Sequence, residues 1–181
     1  LSEVAYDQLA AAVDHCDVLS ICNPNNPTGE KISPQLLLEW AARLAARGGW
    51  LIVDEAFGDT MPEQSVATYT AQKGLIVFRS VGKFFGLAGL RLGFVAAHAD
   101  LLQQLADVLG PWTVSGPAQQ IGTAALSDSG CQRQMRRQLQ EGGARLQQML
   151  QARGIQSNGT ELFQYWPTAN AAEFAVHMAQ H

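Results

Sequence analysis

Lys83 stands in a glycine-rich apolar run, Phe78-Arg79-Ser80-Val81-Gly82-Lys83-Phe84-Phe85-Gly86-Leu87-Ala88-Gly89-Leu90-Arg91-Leu92-Gly93-Phe94. Ser80 places a hydroxyl three residues before it, and Arg91 a guanidinium eight residues after it. An amine withdrawn from water loses its proton and attacks carbonyl carbon. A hydroxyl and a guanidinium are the groups that hold phosphate oxygens. The combination describes a lysine that forms an imine beside a phosphate clamp.

Two further positions fit the same chemistry. Asn26 lies in the turn Asn23-Pro24-Asn25-Asn26-Pro27-Thr28-Gly29, and Asp54 ends the run Trp50-Leu51-Ile52-Val53-Asp54. A carboxylate keeps a pyridine nitrogen protonated, so the ring takes up electrons from a bond breaking at a substrate's α-carbon. An amide side chain donates to a phenolic oxygen. Lysine, carboxylate, amide, hydroxyl and guanidinium together are what pyridoxal 5'-phosphate requires of a protein.

These residues need a scaffold that brings them together. Asp17 to Cys22, Trp50 to Val53, Leu75 to Phe78 and Arg91 to Ala96 read as strands. Helical patterns alternate with them, at Tyr6 to His15 and after Ser33, which caps a helix with Pro34 at its first position and Gly48-Gly49 at its end. Leu36, Leu37, Trp40, Ala41 and Leu44 form that helix's expected buried stripe. Continuous apolar strands alternating with helices predict an α/β sheet covered on both faces. In open sheets of this kind ligands gather at the carboxyl ends of the strands, where Asn26, Asp54 and Lys83 all fall.

The character changes near Ser127. Asp128 to Arg153 is polar, rich in Gln and Arg, and reads as a long exposed helix that Gly142-Gly143 bends and Gly154 caps. Leu162 to Trp166 reads as a strand and Ala169 to Gln180 as a helix. The expected organisation is residues 1–127 as part of a large cofactor-binding domain, 128–153 as a connecting helix, and 154–181 as the start of a small C-terminal domain.

The chain has 181 residues, with 47% hydrophobic and 15% charged, a well-buried globular composition. It begins at Leu1 and its last helical pattern still runs at His181, so we expect a piece of a longer protein. The net charge of −4 and the lack of a Lys/Arg cluster give no support to nucleic-acid binding. The apolar runs are too short to span a bilayer and no signal peptide is visible, so neither a membrane nor secretion is expected and the cytoplasm is. Cys16, Cys22 and Cys131 show no CxxC spacing and read as buried free thiols. His15, His98, His177 and His181 are scattered, so no metal site is expected.

Asn25-Asn26-Pro27-Thr28-Gly29, Asp54-Glu55-Ala56-Phe57 and Ser80-Val81-Gly82-Lys83 with Arg91 resemble, in order, the motifs of the class I/II aminotransferase family, PLP fold type I. The resemblance implies a three-layer α/β sandwich with a mostly parallel sheet. It implies that Lys83 and Asp54 are catalytic, Lys83 forming the imine and Asp54 pairing with the pyridinium. Asn26 is placed at the phenolic oxygen and at the substrate, and Ser80 and Arg91 at the phosphate. The family often has tyrosine where this chain has Phe57, so a hydrogen bond to the phenolic oxygen is absent. Glu55 is expected to support the structure. The resemblance also implies a homodimer.

Two branches of the family fit. Gly86-Leu87-Ala88-Gly89-Leu90-Arg91 occurs in enzymes similar to histidinol-phosphate aminotransferase. Arg79 to Gly86, Asp54 to Phe57 and Gly110 to Pro117 look more like the threonine-phosphate decarboxylases of cobalamin biosynthesis. The expected activity is therefore decarboxylation of a small phosphorylated amino acid, L-threonine O-3-phosphate, with aminotransfer on histidinol phosphate as the alternative. The arginine that grips the substrate carboxylate is expected beyond His181. A third reading, from another class, is a non-catalytic aminotransferase-like module of a regulator. Ser80-x-x-Lys83 also fits a serine acyl-transferase motif, but the partner SDN and KTG motifs are missing. Trp112 and Ser115 read as core and cap residues.

Overall fold

Three β-branched, aliphatic runs form the centre of the molecule: β1 (Val18–Cys22), β2 (Trp50–Asp54) and β3 (Leu75–Ser80). The structure, a computed structural model, describes residues 3–180. β1, β2 and β3 are parallel neighbours, and β4 (Gly93–Ala96) runs antiparallel to β3 in a sheet of order β1-β2-β3-β4. The pairing Cys22↔Asp54↔Phe78 brings the ends of the parallel strands level. Backbone bonds Asn23 N–H to Asp54 O and Glu55 N–H to Phe78 O, both 2.9 Å, carry the ladder one rung past those ends.

α1 (Leu9–Ala12) and α2 (Pro34–Ala45) pack on one face. The Ser33 hydroxyl accepts from the Leu36 N–H and Pro34 opens the helix. Gly48, at φ +77°, ends it in the left-handed region that glycine adopts without strain. Leu37, Trp40, Ala41 and Leu44 meet Leu19, Ile21, Leu51, Val53, Leu75 and Val77 in one buried cluster. Leu36 lies outside this stripe and is exposed. The Tyr6 to His15 helix is shorter than expected: Tyr6–Gln8 is a 3-10 turn and only Leu9–Ala12 is α-helical. The two faces of the sheet are covered unequally, because Val18, Phe78, Phe94 and Val95 remain exposed.

β4 begins at Gly93 rather than Arg91, because Arg91 sits at φ 52°, ψ 43° and cannot extend a ladder. α3 (Ala99–Leu109) and α4 (Gly116–Ser127) follow. Ser115 caps α4, accepting from the Ala118 N–H. Trp112 is 92% exposed and is not a core residue; it stands in the connection between Gly110 and Ser115, off the sheet.

Asp128 caps α5 (Ser129–Gln151), accepting from the Cys131 N–H. Gly142-Gly143 lies within this continuous helix. Gly143 serves a close approach instead: a Cβ there would stand 3.1 Å from the Cα of Glu161. Gly154, at φ +74°, follows the helix, and the Ile155 N–H returns to the Leu150 carbonyl at 3.0 Å. β5 (Asn158–Thr160) and β6 (Phe163–Tyr165) form an antiparallel hairpin, of which only the second strand was expected, and α6 (Ala171–Met178) is the last helix among the described residues. Leu1, Leu's neighbour Ser2 and His181 lie outside the described residues. Cys16 and Cys22 are half-buried and Cys131 is exposed, so the expectation of three buried thiols fails. Cys131 sits on α5, which is amphipathic and open to solvent on one side.

Candidate functional site

Asn26 belongs to a turn fixed by its own side chains. The Asn25 amide donates to the Thr28 hydroxyl at 2.8 Å, and that hydroxyl donates to Glu30 Oε2 at 3.0 Å. Asn23, buried, clasps the backbone of Ile32 with bonds of 3.1 and 2.8 Å. Asn26 itself is left exposed beyond the end of β1. Gly29 packs against the C-terminal hairpin so closely that a Cβ would stand 2.4 Å from the Cα of Gly159.

Asp54 and Glu55 are adjacent, and the backbone sends them into different surroundings. Asp54 Oδ1 accepts from the Ala56 N–H at 2.8 Å, and the residue stays half-buried at the strand end. Glu55, 2% exposed, accepts from the Val66 N–H at 2.8 Å and from Arg79 Nη1 at 3.0 Å. Arg79 also donates to the Ser65 hydroxyl at 3.1 Å and pairs with Asp59. Glu55 is therefore a structural carboxylate, as expected.

Ser80 ends β3, and its hydroxyl accepts from the Gly82 N–H at 3.0 Å. The loop after it is held by Gly86 N–H to Lys83 O at 3.0 Å and Leu87 N–H to Val81 O at 3.1 Å. Lys83 Nζ lies 5.3 Å from the centre of the Phe57 ring, which meets Phe163 of β6 edge-on at 5.2 Å. Lys83 is exposed, which corrects the expectation of an amine withdrawn from water: Val81 and Phe84 turn into the protein while the amine stays outside, 5.3 Å from the Phe57 ring centre. Arg91, exposed, follows the 3-10 turn Ala88–Leu90 and donates to the Ala88 carbonyl at 3.3 Å. Because β4 is antiparallel and Gly93 pairs with Ser80, Arg91 stands at the same end of the sheet as Ser80.

The topology thus gathers Asn26, Asp54, Ser80, Lys83 and Arg91 at one edge. Sequence reasoning gave Cys22 only as a buried free thiol at a strand end; the structure pairs it in register with Asp54, and its thiol donates to the Pro24 carbonyl at 3.2 Å. Burial pushes this thiol up from its ordinary pKa; a hydrogen bond from the Asn26 backbone opposes the rise and the Asp54 charge adds to it. Its place as the last residue of an apolar strand was the available signal. Arg79 was the other, a guanidinium inside an apolar strand that calls for a buried acid. An apolar groove of about 370 Å³ runs along the Lys83 loop, lined by Phe84, Phe85, Leu87, Ile121 and Met135, but by none of the five site residues. Among the described residues no group of three or more His, Cys, Asp and Glu could hold a metal, and no helix is long and apolar enough to cross a membrane.

The donor set fits pyridoxal phosphate. An amine stands beside an aromatic ring, a carboxylate ends the neighbouring strand, and a hydroxyl and a guanidinium share the end of β3 and the start of β4. Ser80 and Arg91 would take the phosphate, Asp54 the ring nitrogen and Asn26 the phenolic oxygen.

Comparison with known proteins points the same way. The family described as Aminotransferase class I and II matches residues 2–178. A threonine-phosphate decarboxylase of Pseudomonas aeruginosa is 49% identical over 163 residues, covering 90% of this chain and 49% of that protein. A histidinol-phosphate aminotransferase of Sodalis glossinidius is 39% identical over 134 residues, covering 74% of this chain and 37% of that protein. The chain therefore spans half or less of the length of these relatives. The solved histidinol-phosphate aminotransferase of Sinorhizobium meliloti, in complex with pyridoxal-5'-phosphate, superposes with a TM-score of 0.75 at 20% identity, covering 84% of this chain and 42% of that one. An α/β sheet with a single antiparallel strand, the five residues at its carboxyl edge and a family match over nearly the whole length lead to one assignment: the chain belongs to the class I and II aminotransferase family, whose fold is PLP fold type I.

Proposed function

We propose that the protein to which this chain belongs decarboxylates L-threonine O-3-phosphate to aminopropanol phosphate, a step of cobalamin side-chain synthesis. The observation that carries the proposal is the gathering of Asn26, Asp54, Ser80, Lys83 and Arg91 at one sheet edge. Identity of 49% over 90% of the chain, against 39% over 74%, favours the decarboxylase branch.

Pyridoxal phosphate, when bound, supplies an aldehyde for amines and a protonated ring that accepts electrons from a bond breaking at the substrate's α-carbon. This chain's residues do the rest. Lys83 would hold the cofactor through its amine and, when free, would supply a proton to the substrate's α-carbon. The Asp54 carboxylate keeps a proton on the ring nitrogen and stabilises the charge it carries. Asn26 would donate its amide to the phenolic oxygen and contact the substrate. Ser80 and Arg91 would bind the phosphate oxygens. We assign residues 1–127 to the large domain, 128–153 to the connecting helix and 154–181 to the small domain, in a cytoplasmic homodimer.

The test is product analysis with the full-length protein. Phosphothreonine should release CO2 and yield aminopropanol phosphate, while histidinol phosphate with 2-oxoglutarate should yield little glutamate. Glutamate without CO2 would move the assignment to the aminotransferase. Sedimentation at micromolar concentration should give a dimer; a fully active monomer would contradict that part.

A further inference from the structure

Each candidate residue on β2, β3 and the following loop has a sequence neighbour in one connected set of contacts. Asp54 precedes Glu55, Ser80 follows Arg79, and Lys83 precedes Phe84. Arg79 binds Glu55 and Asp59. Arg136, half-buried on α5, donates its Nε–H to the Asp59 carbonyl at 2.8 Å across 77 residues of sequence. Its guanidinium carbon lies 5.2 Å from the centre of the Phe84 ring, and Phe84 is 3% exposed. Phe84 in turn meets Phe85 edge-on at 5.0 Å.

We propose that Arg136 is a positioning residue: from α5 it ties the loop after β2 to the loop that carries Lys83, and so sets where the lysine amine stands over Phe57. Arginine suits the task because its planar guanidinium donates in its plane while its face lies against a ring. Lysine would keep the charge near Phe84 but not the fixed direction of the Nε–H bond. Released from α5, the two loops lose a shared anchor. A displacement of the reacting group by about 1 Å costs on the order of a hundredfold in rate.

This rests on the pyridoxal phosphate reading of Lys83, and the experiment separates the two. In the full-length protein, Arg136→Met and Arg136→Lys are compared with the unaltered protein by melting temperature, by equilibrium dialysis of pyridoxal phosphate, and by the fraction of Lys83 labelled when bound cofactor is reduced with borohydride. Arg136→Met should weaken cofactor binding about tenfold and lower the labelled fraction, with Arg136→Lys in between, in samples folded at the assay temperature. A fall in melting temperature with unchanged cofactor affinity and labelling would make Arg136 a helix-docking residue only and overturn the proposal. No change in any of the three would also overturn it. If the unaltered protein binds no pyridoxal phosphate, the functional reading fails and the positioning role of Arg136 falls with it, whereas binding by the unaltered protein with no effect of Arg136→Met overturns the role of Arg136 alone.

Discussion

Two acidic residues, one peptide bond apart, have opposite fates. Glu55 turns into the protein and has its oxygens taken by the Val66 N–H, Ser65 and Arg79. Asp54 stays at the strand end with the Ala56 N–H as a neighbour, beside the half-buried Cys22, at the edge where the exposed Lys83 also lies. A carboxylate whose acceptor sites are filled by its own protein stabilises that protein, and breaking its pairing leaves a buried charge. A carboxylate held in place by one backbone bond keeps acceptor capacity for a ligand. The contrast teaches how to divide a DE pair: the clamped residue holds the fold together, and only the open one keeps free acceptor capacity.

The sharpest way to break this division is to compare alanine at the two positions. In the full-length protein, Asp54→Ala should lower kcat/KM for phosphothreonine by about a thousandfold, the scale of losing a group that stabilises transition-state charge. It should leave the urea midpoint nearly unchanged. Glu55→Ala should show the reverse weighting, and equal loss of activity in two equally stable variants would mean that the wrong carboxylate has been chosen.

On the clamped side, Arg79→Met leaves Glu55 buried without its cation. The expected destabilisation is about 3–5 kcal/mol, measured by urea unfolding of the full-length protein. A loss near that of a surface ion pair would show that Asp59 and Glu55 do not depend on Arg79.

Phe57→Tyr is a smaller change that sharpens the comparison from the open side. It restores a hydroxyl beside Lys83, in reach of the cofactor's phenolic oxygen on this account. Pyridoxal phosphate should bind roughly two- to tenfold more tightly, the range of one hydrogen bond. Weaker binding would place the ring of Phe57 elsewhere relative to the cofactor.

The smallest expected effect is at Asp14. The hydrogen bond from Arg43 holds its carboxyl below the ordinary carboxylate range. A depressed folded pKa contributes stability above that range and loses it as pH falls through it. Asp14→Asn should therefore cost a little stability at neutral pH and nothing at acid pH, because this pair lies in solvent.

Much of the fold is legible because its signals are local. Ser33, Pro34 and Gly48 bound α2 in the sequence and in the structure. The apolar runs ending at Cys22, Asp54 and Ser80 place three parallel strands and, with them, the edge at which the site forms. What escaped the sequence depends on distant contacts. β5 is Asn158–Thr160, too short and too polar to show alternation. Gly142-Gly143 reads as a bend, but Gly143 is small because Glu161 packs on it. Arg136 gives no local sign of its partners, Asp59 and Phe84. Lys83 looks withdrawn from water because its neighbours are apolar, yet those neighbours turn inward and leave the amine outside: Val81 and Phe84 are buried while Lys83 is exposed.

The most direct test of the account is to find which lysine carries the cofactor. The full-length protein, incubated with pyridoxal phosphate, reduced with borohydride and digested, should yield the pyridoxyl group on the peptide containing Lys83. A label on Lys31 or Lys73 instead would contradict the site at the carboxyl edge of the sheet.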